Sequence, residues 1–256
     1  QAKVRASLYD VMELACEWYE AKLRSDGGGA LAYLHGRDLD DQTITRFRLG
    51  YAPGSTSGGG LETALRAKGV TLEQLLEAGL MRRPDDGRAP YPFFRDRVMF
   101  PITDRRGRVI AFGGRVMGDA KTAKYVNSPD TPLFDKGRTL YNAAGARDAL
   151  QKQFGQKQNG QNQNGQNQTG DLGGDLVVAE GYMDVIALAR AGVNAAVAPL
   201  GTAVTENHLS ELWRLTPEPV LCFDGDTAGQ RAAGRAAERA LPVLRPGKSL
   251  RFAVLP

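Results

Sequence analysis

The sequence contains 256 residues, of which 42% are hydrophobic and 24% charged, and its formal net charge is +4. This composition is typical of a globular protein with one or two cores. It contains no apolar run near the roughly 20 residues that span a bilayer, so we expect no membrane partner. The two cysteines, Cys16 and Cys222, are too few for a disulfide framework or a cysteine zinc site, which indicates a reducing, cytoplasmic location and no zinc. The two histidines, His35 and His208, lack the spacing of metal ligands, and we interpret them as polar surface groups.

The first 150 residues predict helices followed by strands, which is the order of an α+β subdomain. An amphipathic helix is predicted in SLYDVMELACEWYEAKLRS, where apolar residues recur at helical spacing. A short helix that leads into a strand is predicted in TITRFRLGYAP, and two short helices that end at glycine are predicted in LETALRAKG and TLEQLLEAGL. Two apolar runs joined by a polar turn at Arg106-Gly107 predict a hairpin in RDRVMFPITDRRGRVIAFGGRVMG.

Positive charge is concentrated in the second half of this subdomain. Between Arg82 and Arg138 there are 13 Lys and Arg residues against 7 Asp and Glu, whereas the two signs balance at 10 each from Gln151 to the end. A local basic excess is typical of a site for a polyanion. On charge alone, a solvated surface is the favoured explanation.

One segment of unusual composition divides the chain. Residues 151–175 read QKQFGQKQNGQNQNGQNQTGDLGGD and are rich in Gln, Asn and Gly. Such a segment buries too little apolar surface to offset the entropy that it loses on ordering. We therefore predict a flexible linker or a surface insertion between an N-terminal domain (residues 1–150) and a C-terminal domain (residues 176–256).

Apolar strands alternate with helices in residues 176–256. Strands are predicted in DLVVAE, NAAVAPL, VLCFDGD and SLRFAVLP, and helices in YMDVIALARAG, TENHLSELWRL and TAGQRAAGRAAERALPVL. Strands that are apolar throughout indicate a parallel sheet with helices on both faces. The second domain is therefore predicted to be α/β with a mostly parallel sheet.

Acidic side chains follow two of these strands. Glu180 ends the first strand, and Asp224 and Asp226 end the third, so all three are expected at the carboxyl edge of the sheet, where ligands bind in open α/β folds. Residues two apart in an extended segment point to the same side, and carboxylate oxygens suit Mg²⁺ or Mn²⁺. Two structural alternatives stay open. Asp-Gly is a strong turn signal and an acid at a strand end often caps the next helix, so this explanation is favoured for DGD alone. Asp184 could likewise be an ordinary acid of the first helical turn, favoured there by the helix dipole. Two acidic strand ends together with a basic stretch favour metal-assisted phosphate chemistry.

Two further patterns have structural explanations. Arg231, Arg235 and Arg239 recur every fourth residue on the last predicted helix, and a solvated face is the favoured interpretation. The glycines of AFGGR indicate either a hairpin bulge or a close approach of the backbone to a ligand.

The sequence resembles the Toprim domain, in which one strand ends in Glu-Gly and a later strand ends in Asp-x-Asp. Seven blocks also resemble, in the same order, segments of the catalytic core of the DnaG-type bacterial replicative primase. These blocks are RDRVMFPI, GRVIAFGGR, KYVNSP, KGRTLYN, EGYMDVIAL, LGTAVTENH and FDGDTAG. The resemblance implies an RNA polymerase core truncated at both ends. It lacks the family's zinc-binding module, its C-terminal helicase-binding domain and an acidic motif that follows FAVLP.

The resemblance also implies a role for each matching residue. The catalytic acids implied are Glu180, Asp184, Asp224 and Asp226, and the metal ligands among them are Glu180, Asp224 and Asp226. The nucleotide-binding residues implied are Arg115, Lys124, Tyr125, Asn127 and Lys136. The residues implied to contact nucleic acid are Arg37, Arg97 and Arg115.

The activity implied is synthesis of short RNA primers on single-stranded DNA from ribonucleoside triphosphates, by two-metal-ion nucleotidyl transfer with Mg²⁺ or Mn²⁺. The partner implied is the replicative helicase, reached through the absent C-terminal domain, which places the protein at replication forks in the nucleoid. Two other classes remain as alternatives. One is a Toprim nuclease or topoisomerase fragment, which would cleave DNA without nucleotides. The other is a non-catalytic single-stranded DNA-binding module, which would bind DNA in a salt-sensitive way without a metal site.

Overall fold

The computed structural model describes residues 2–54, 60–118, 123–158, 175–201 and 203–254. These residues form two compact units, one within Gln1–Asp104 and Arg108–Asp135 and the other within Arg105–Gly107 and Lys136–Pro256. No helix in these ranges is long and apolar enough to cross a bilayer. The domain boundaries predicted at residues 150 and 175 stay predictions, because they follow composition rather than contacts.

The first unit is built from helices and antiparallel strands. Its helices are α1 (Ala2–Ser25), α2 (Gly28–His35), α3 (Asp41–Arg46), α4 (Leu61–Arg66) and α5 (Leu72–Glu77). Its strands are β1 (Gly50–Ala52), β2 (Met81–Arg82), β3 (Tyr91–Pro92), β4 (Arg97–Thr103), β5 (Val109–Val116) and β6 (Tyr125–Asn127). Strands β1, β4, β5 and β6 form one antiparallel sheet in that order, and β2 pairs with β3. This arrangement confirms the predicted α+β subdomain.

Helix α1 packs its apolar face against the four-stranded sheet. The predicted apolar positions Leu8, Met12, Ala15 and Tyr19 are all at most 2% exposed. The ring of Tyr19 meets that of Phe112 in β5 edge to face, with 5.2 Å between the ring centroids. The predicted amphipathic helix is therefore confirmed.

The predicted hairpin is formed by β4 and β5, which pair along their whole length. Gly107 lies at the predicted turn with φ of +80°, a left-handed conformation that glycine adopts without a Cβ clash. The register shifts between Ile102 and Thr103 rather than at the glycines of AFGGR. The bulge explanation of those glycines is therefore wrong.

Some elements of the first unit were not predicted. They are α2, the β2–β3 pair and β6, which contain between two and eight residues each. Segments this short contain too few positions for a hydrophobic period to emerge, so tertiary contacts determine them.

The second unit alternates strands and helices. Its strands are β7 (Leu140–Tyr141), β8 (Val177–Val178), β9 (Ala196–Pro199), β10 (Val220–Phe223) and β11 (Arg251–Val254). Its helices are α6 (Ala143–Gln158), α7 (Tyr182–Arg190), α8 (Glu206–Leu215) and α9 (Thr227–Ala240), the last followed by a 3-10 turn at Leu241–Val243. The sheet has the order β11-β10-β8-β9-β7, with parallel neighbours except for the antiparallel edge strand β7. The predicted mostly parallel α/β sheet is confirmed.

Part of the predicted linker is helical. Helix α6 begins at Ala143 and ends at Gln158, so the first eight residues of the Gln/Asn/Gly-rich segment continue it. Gln is a good helix former, and the long breaker-rich run begins only after this point. Residues 151–158 are therefore helical, residues 159–174 lie outside the described ranges, and the linker or surface insertion stays a prediction.

His208 is buried, which corrects its interpretation as a surface group. Its side chain is 0% exposed, and its Nδ1 accepts a hydrogen bond from the backbone N–H of Thr205 at 3.2 Å. The Nε2 lies 3.1 Å from the carbonyl oxygen of Lys136 and must donate to it, so the ring is neutral with its proton on Nε2. Thr205 Oγ1 accepts from the N–H of His208 in return and donates to the carbonyl of Gly137 at 2.6 Å. This capping box begins α8 and binds it to the KGR block.

We expect His208→Ala to lower the free energy of unfolding by roughly 2–3 kcal/mol, because it removes half of the capping box, removes a hydrogen bond to the carbonyl oxygen of Lys136 and creates a cavity. Urea denaturation followed by circular dichroism measures this change. His35→Ala is the matched control, since His35 is 47% exposed and its Nε2 pairs with the exposed Asp41. We expect its effect to stay within about 0.5 kcal/mol. Equal effects of the two substitutions would contradict the structural role of His208.

Candidate active site

The predicted acids lie at the carboxyl ends of neighbouring strands. Strands β8 and β10 are parallel partners, with Val177 opposite Val220, so their ends lie at the same edge of the sheet. Glu180 follows β8, and Asp224 follows directly after the fully buried β10. The Oε1 of Glu180 accepts a hydrogen bond from the N–H of Asp224 at 3.3 Å. The predicted proximity of these two strand ends is therefore confirmed.

Asp226 caps a helix, as the structural alternative for DGD predicted. Its Oδ1 accepts from the N–H of Gly229 at 2.7 Å, and α9 begins at the next residue, Thr227. Strand β10 ends at Phe223, so the extended alternation used to place Asp224 and Asp226 on one side does not continue through them. Both residues are nevertheless exposed and line the same cavity. A cap through Oδ1 leaves the second carboxylate oxygen for a ligand.

Gly229 allows the first turn of α9 to pack on the acidic loop. A Cβ at this position would lie 2.0 Å from the carbonyl oxygen of Asp224 and 2.9 Å from its carbonyl carbon. Both are backbone atoms, which do not move aside as a flexible side chain does. Gly229, the second glycine of FDGDTAG, is therefore required by a close approach of the two backbone segments, which positions Asp224 and Asp226.

Asp184 lies in the first turn of α7, close to the acids of the strand ends. Partial removal from water raises the pKa of its carboxyl group, and the negative charge of Asp224 raises this pKa further, against a hydrogen bond from the Gly181 backbone that lowers it. The two carboxylates therefore interact electrostatically. A cation bound beside them would relieve this repulsion.

One cavity of about 390 Å³ in the second unit contains the three strand-end acids. Its lining includes Glu180, Asp224 and Asp226 together with apolar side chains such as Val178 and Phe223. No three carboxylate, imidazole or thiol groups of the described residues are close enough to hold a metal ion in their present rotamers. The donor set is nevertheless chemically suited to Mg²⁺ or Mn²⁺, because it consists of hard carboxylate oxygens around one open space.

Several of the predicted nucleotide and DNA contacts lie together in the first unit. Arg115 of β5 is the cross-strand partner of Tyr125 in β6, and Gly113 is the partner of Asn127. Residues two apart in a strand share a face, so Arg115, Tyr125 and Asn127 line one side of the sheet. Tyr125 is 37% exposed, so its ring is available for stacking with a base.

Arg97 does not join this group. Its cross-strand partner in β5 is Val116, the neighbour of Arg115. Adjacent residues of a strand point to opposite faces, so Arg97 points to the face of the sheet opposite Arg115. It is 7% exposed, and its Nη1 donates to the carbonyl oxygens of Gly114, Ala123 and Lys124. A Cβ on Gly114 would lie 2.9 Å from Cδ of Arg97, so the glycine leaves space for the side chain of Arg97. A contact of Arg97 with nucleic acid stays a prediction.

Tyr33 was missed by the sequence analysis. Its ring in α2 lies 4.0 Å from Cζ of Arg115 and 5.6 Å from Cζ of Arg37, so two of the predicted cations contact one aromatic ring. Nε of Arg115 is buried and has no hydrogen-bond partner among the described residues. The contact between Tyr33 and Arg115 joins residues that are distant in sequence, so no pattern within the eight residues of α2 could predict it.

The two predicted lysines are exposed and occupy different units. Lys124 directly precedes β6 in the first unit, and its carbonyl oxygen accepts from the N–H of Val116. Lys136 belongs to the second unit, where its carbonyl oxygen is bound to His208. Their contacts with a nucleotide stay predictions.

The chain is similar to known proteins over nearly its whole length. Residues 18–147 match the N-terminal domain of the DNA primase catalytic core, and residues 174–253 match the Toprim domain. The chain is 45% identical over 251 residues to a DNA primase of Pseudomonas aeruginosa and 42% identical over 256 residues to that of Escherichia coli K12. These matches cover 97% and 98% of the chain but only 34% and 39% of the two relatives.

Solved structures are similar over nearly the whole chain. A DNA primase domain from Pseudomonas aeruginosa has a TM-score of 0.80 at 44% identity, covering 97% of this chain and 71% of that one. A DnaG primase catalytic domain bound to single-stranded DNA has a TM-score of 0.78 at 41% identity, covering 100% of this chain and 75% of that one. The acidic sheet edge and the fold define a Toprim protein, and the chain belongs to the DnaG-type DNA primase family.

Proposed function

We propose that the chain is the catalytic core of a DNA primase that synthesises short RNA primers on single-stranded DNA. The observation that carries this proposal is the meeting of Glu180, Asp224 and Asp226 at one cavity in a chain of the primase family. Carboxylates at the carboxyl edge of an α/β sheet are suited to metal-assisted transfer of a nucleotidyl group. The substrates proposed are ribonucleoside triphosphates.

Glu180, Asp224 and Asp226 would hold the divalent cations, Mg²⁺ or Mn²⁺. When bound, such ions neutralise phosphate charge and lower the pKa of an attacking hydroxyl group. The protein positions the acids by the Asp226 cap, by the glycine contact at Gly229 and by the hydrogen bond from Asp224 to Glu180. These contacts preserve the geometry of the acids before a substrate binds.

A single-stranded DNA template is the proposed partner. The similar solved structure of a DnaG primase catalytic domain bound to single-stranded DNA supports this assignment. In the present chain, the grouped Arg37, Arg115 and Tyr125 combine phosphate-binding cations with an exposed aromatic ring, the composition of a surface for single strands. We also propose that the whole protein acts in the cytoplasm at replication forks and meets the replicative helicase through a domain outside this chain.

The test is incorporation of labelled ribonucleotides on single-stranded DNA in the presence of Mn²⁺ or Mg²⁺. We expect oligoribonucleotides whose formation is abolished by a chelator. Cleavage of the DNA without nucleotides would instead support a Toprim nuclease. Salt-sensitive DNA binding without a metal site and without synthesis would support a binding module.

We expect Tyr33→Leu to weaken binding of single-stranded DNA by roughly three- to tenfold, because Arg115 and Arg37 lose the ring that restricts their guanidinium groups. Tyr33→Phe retains the ring and should bind DNA as the parent chain does. Fluorescence anisotropy with a labelled oligonucleotide measures both. Tyr91→Leu is the matched control, since the Tyr91 ring makes a similar contact with Arg95 at 4.8 Å and neither residue is among the predicted DNA contacts. An equal loss in both leucine variants would contradict the role assigned to Tyr33.

A further inference from the structure

Arg235 lies at the cavity that contains the strand-end acids, although the arginine stripe of α9 was interpreted as a solvated face. All three arginines of the stripe are exposed, but they differ in their surroundings. Arg239 donates from Nη1 to the carbonyl oxygen of Val204 at 2.8 Å. Arg235 lines the cavity together with Glu180, Asp224 and Asp226, whereas Arg231 is absent from the lining. The stripe therefore has one member directed to the candidate active site.

The charge of the cavity makes Arg235 unusual. Among the described residues that line this space, Arg235 is the one cation, beside three carboxylates. It forms no hydrogen bond or ion pair within the described ranges. A guanidinium group beside acids that it does not bind retains all its donors for a ligand, and it prefers planar oxyanions such as phosphate.

The shape of the cavity also suits a phosphate chain. Helix α9 contributes Ala228, Gly229 and Ala232 to the wall, and these small side chains leave open space between the helix and the sheet. The volume of about 390 Å³ lies in the range of small-molecule sites. An anion in this space would have both Arg235 and the strand-end acids among the residues that line its site.

We propose that Arg235 binds the pyrophosphate portion of the incoming ribonucleoside triphosphate. The proposal rests on the proposed function, because it names a positioning contact for the substrate of the same site. Arg235 donates hydrogen bonds to phosphate oxygens in the bound nucleotide and in the released pyrophosphate. It thereby orients the leaving group and stabilises the charge that develops on it.

The test is binding of inorganic pyrophosphate, measured by isothermal titration calorimetry in the presence of Mg²⁺ with no turnover. We expect Arg235→Ala to weaken this binding by roughly ten- to a hundredfold, the usual effect of losing a hydrogen bond to a charged group. Arg235→Lys should restore part of the affinity. Arg231→Ala is the matched control, since it removes the same charge one helical turn earlier without touching the cavity. Its affinity should equal that of the parent chain.

Three outcomes would overturn the proposal. An equal loss of pyrophosphate affinity in Arg235→Ala and Arg231→Ala would show that net charge alone is responsible. Tighter binding of Mg²⁺ by Arg235→Ala with unchanged pyrophosphate affinity would show that Arg235 merely balances the acids. Unchanged pyrophosphate affinity with a salt dependence of DNA binding reduced by about one ion would assign Arg235 to a template phosphate.

Failure of this proposal is distinguishable from failure of the proposed function. If Arg235→Ala binds pyrophosphate normally while RNA synthesis still requires the acids, only the role of Arg235 is wrong. If Arg235→Ala loses pyrophosphate binding but the parent chain makes no RNA under any metal condition, the phosphate site stands and the proposed function is wrong.

Discussion

We expect Glu180→Gln to lower metal-dependent incorporation of ribonucleotides by roughly 100- to 1000-fold. A metal ligand supplies several kcal/mol of charge stabilisation in the transition state, and each 1.4 kcal/mol or so corresponds to a factor of ten. The amide retains the size of the carboxyl group and an oxygen that can accept from the N–H of Asp224. The free energy of unfolding should therefore change by less than about 0.5 kcal/mol. The loss of activity would then arise from chemistry rather than from unfolding.

The matched control for Glu180→Gln is Glu206→Gln. Glu206 is an exposed acid in the first turn of α8, and it does not line the cavity of the strand-end acids. Both variants remove one negative charge, so a general electrostatic effect would appear in both. Full synthesis and unchanged metal affinity in Glu180→Gln would contradict the account of this acid.

The second large effect is expected from Gly229→Ala. The added Cβ would lie 2.0 Å from the carbonyl oxygen of Asp224, so the first turn of α9 has to move away from the acidic loop. This movement breaks the hydrogen bond from Gly229 to Asp226 and displaces two of the candidate metal ligands. We expect the free energy of unfolding to fall by roughly 2–4 kcal/mol, together with loss of RNA synthesis. Thermal or urea denaturation measures the first effect, and ribonucleotide incorporation the second.

Gly234→Ala separates this contact from the general preference of helices for alanine. Gly234 lies in the same helix, and a Cβ there has no atom within 4 Å. Alanine at this position should raise the free energy of unfolding by about 0.5–1 kcal/mol without changing synthesis. A stabilising effect of both substitutions would show that the backbone approach at Gly229 is absent.

The elements from β8 onward could be predicted because each contains a continuous local signal, whereas β7 and α6 were not predicted. The buried strand Val220–Phe223 and the helix Glu206–Leu215 both follow from the order of apolar and polar residues. The helix α6 shows where such a signal is insufficient. Composition marked a linker from residue 151, but the helix that begins at Ala143, with Ala146 and Leu150 buried, continues to Gln158.

The candidate site was predictable in its membership and only partly in its geometry. Chain order placed Glu180 and Asp224 at strand ends, and the pairing of β8 with β10 brings them together. The cap formed by Asp226 follows from where β10 ends, which the extended pattern did not predict. His208, Tyr33 and Arg235 lie beside residues that are distant in sequence, so no local pattern identifies their surroundings.

The sequence by itself determined the fold class of each part, the family and the acids at the sheet edge, because hydrophobic period and motif order are local properties of the chain. Only the tertiary structure decided which neighbours these residues meet. It buries His208 against the KGR block and buries Arg97 within the first unit. It also places Arg235 at the cavity of the strand-end acids. The physical reason is that burial, hydrogen bonding and charge pairing depend on distances across the fold. A period of two or four residues contains no information about such distances.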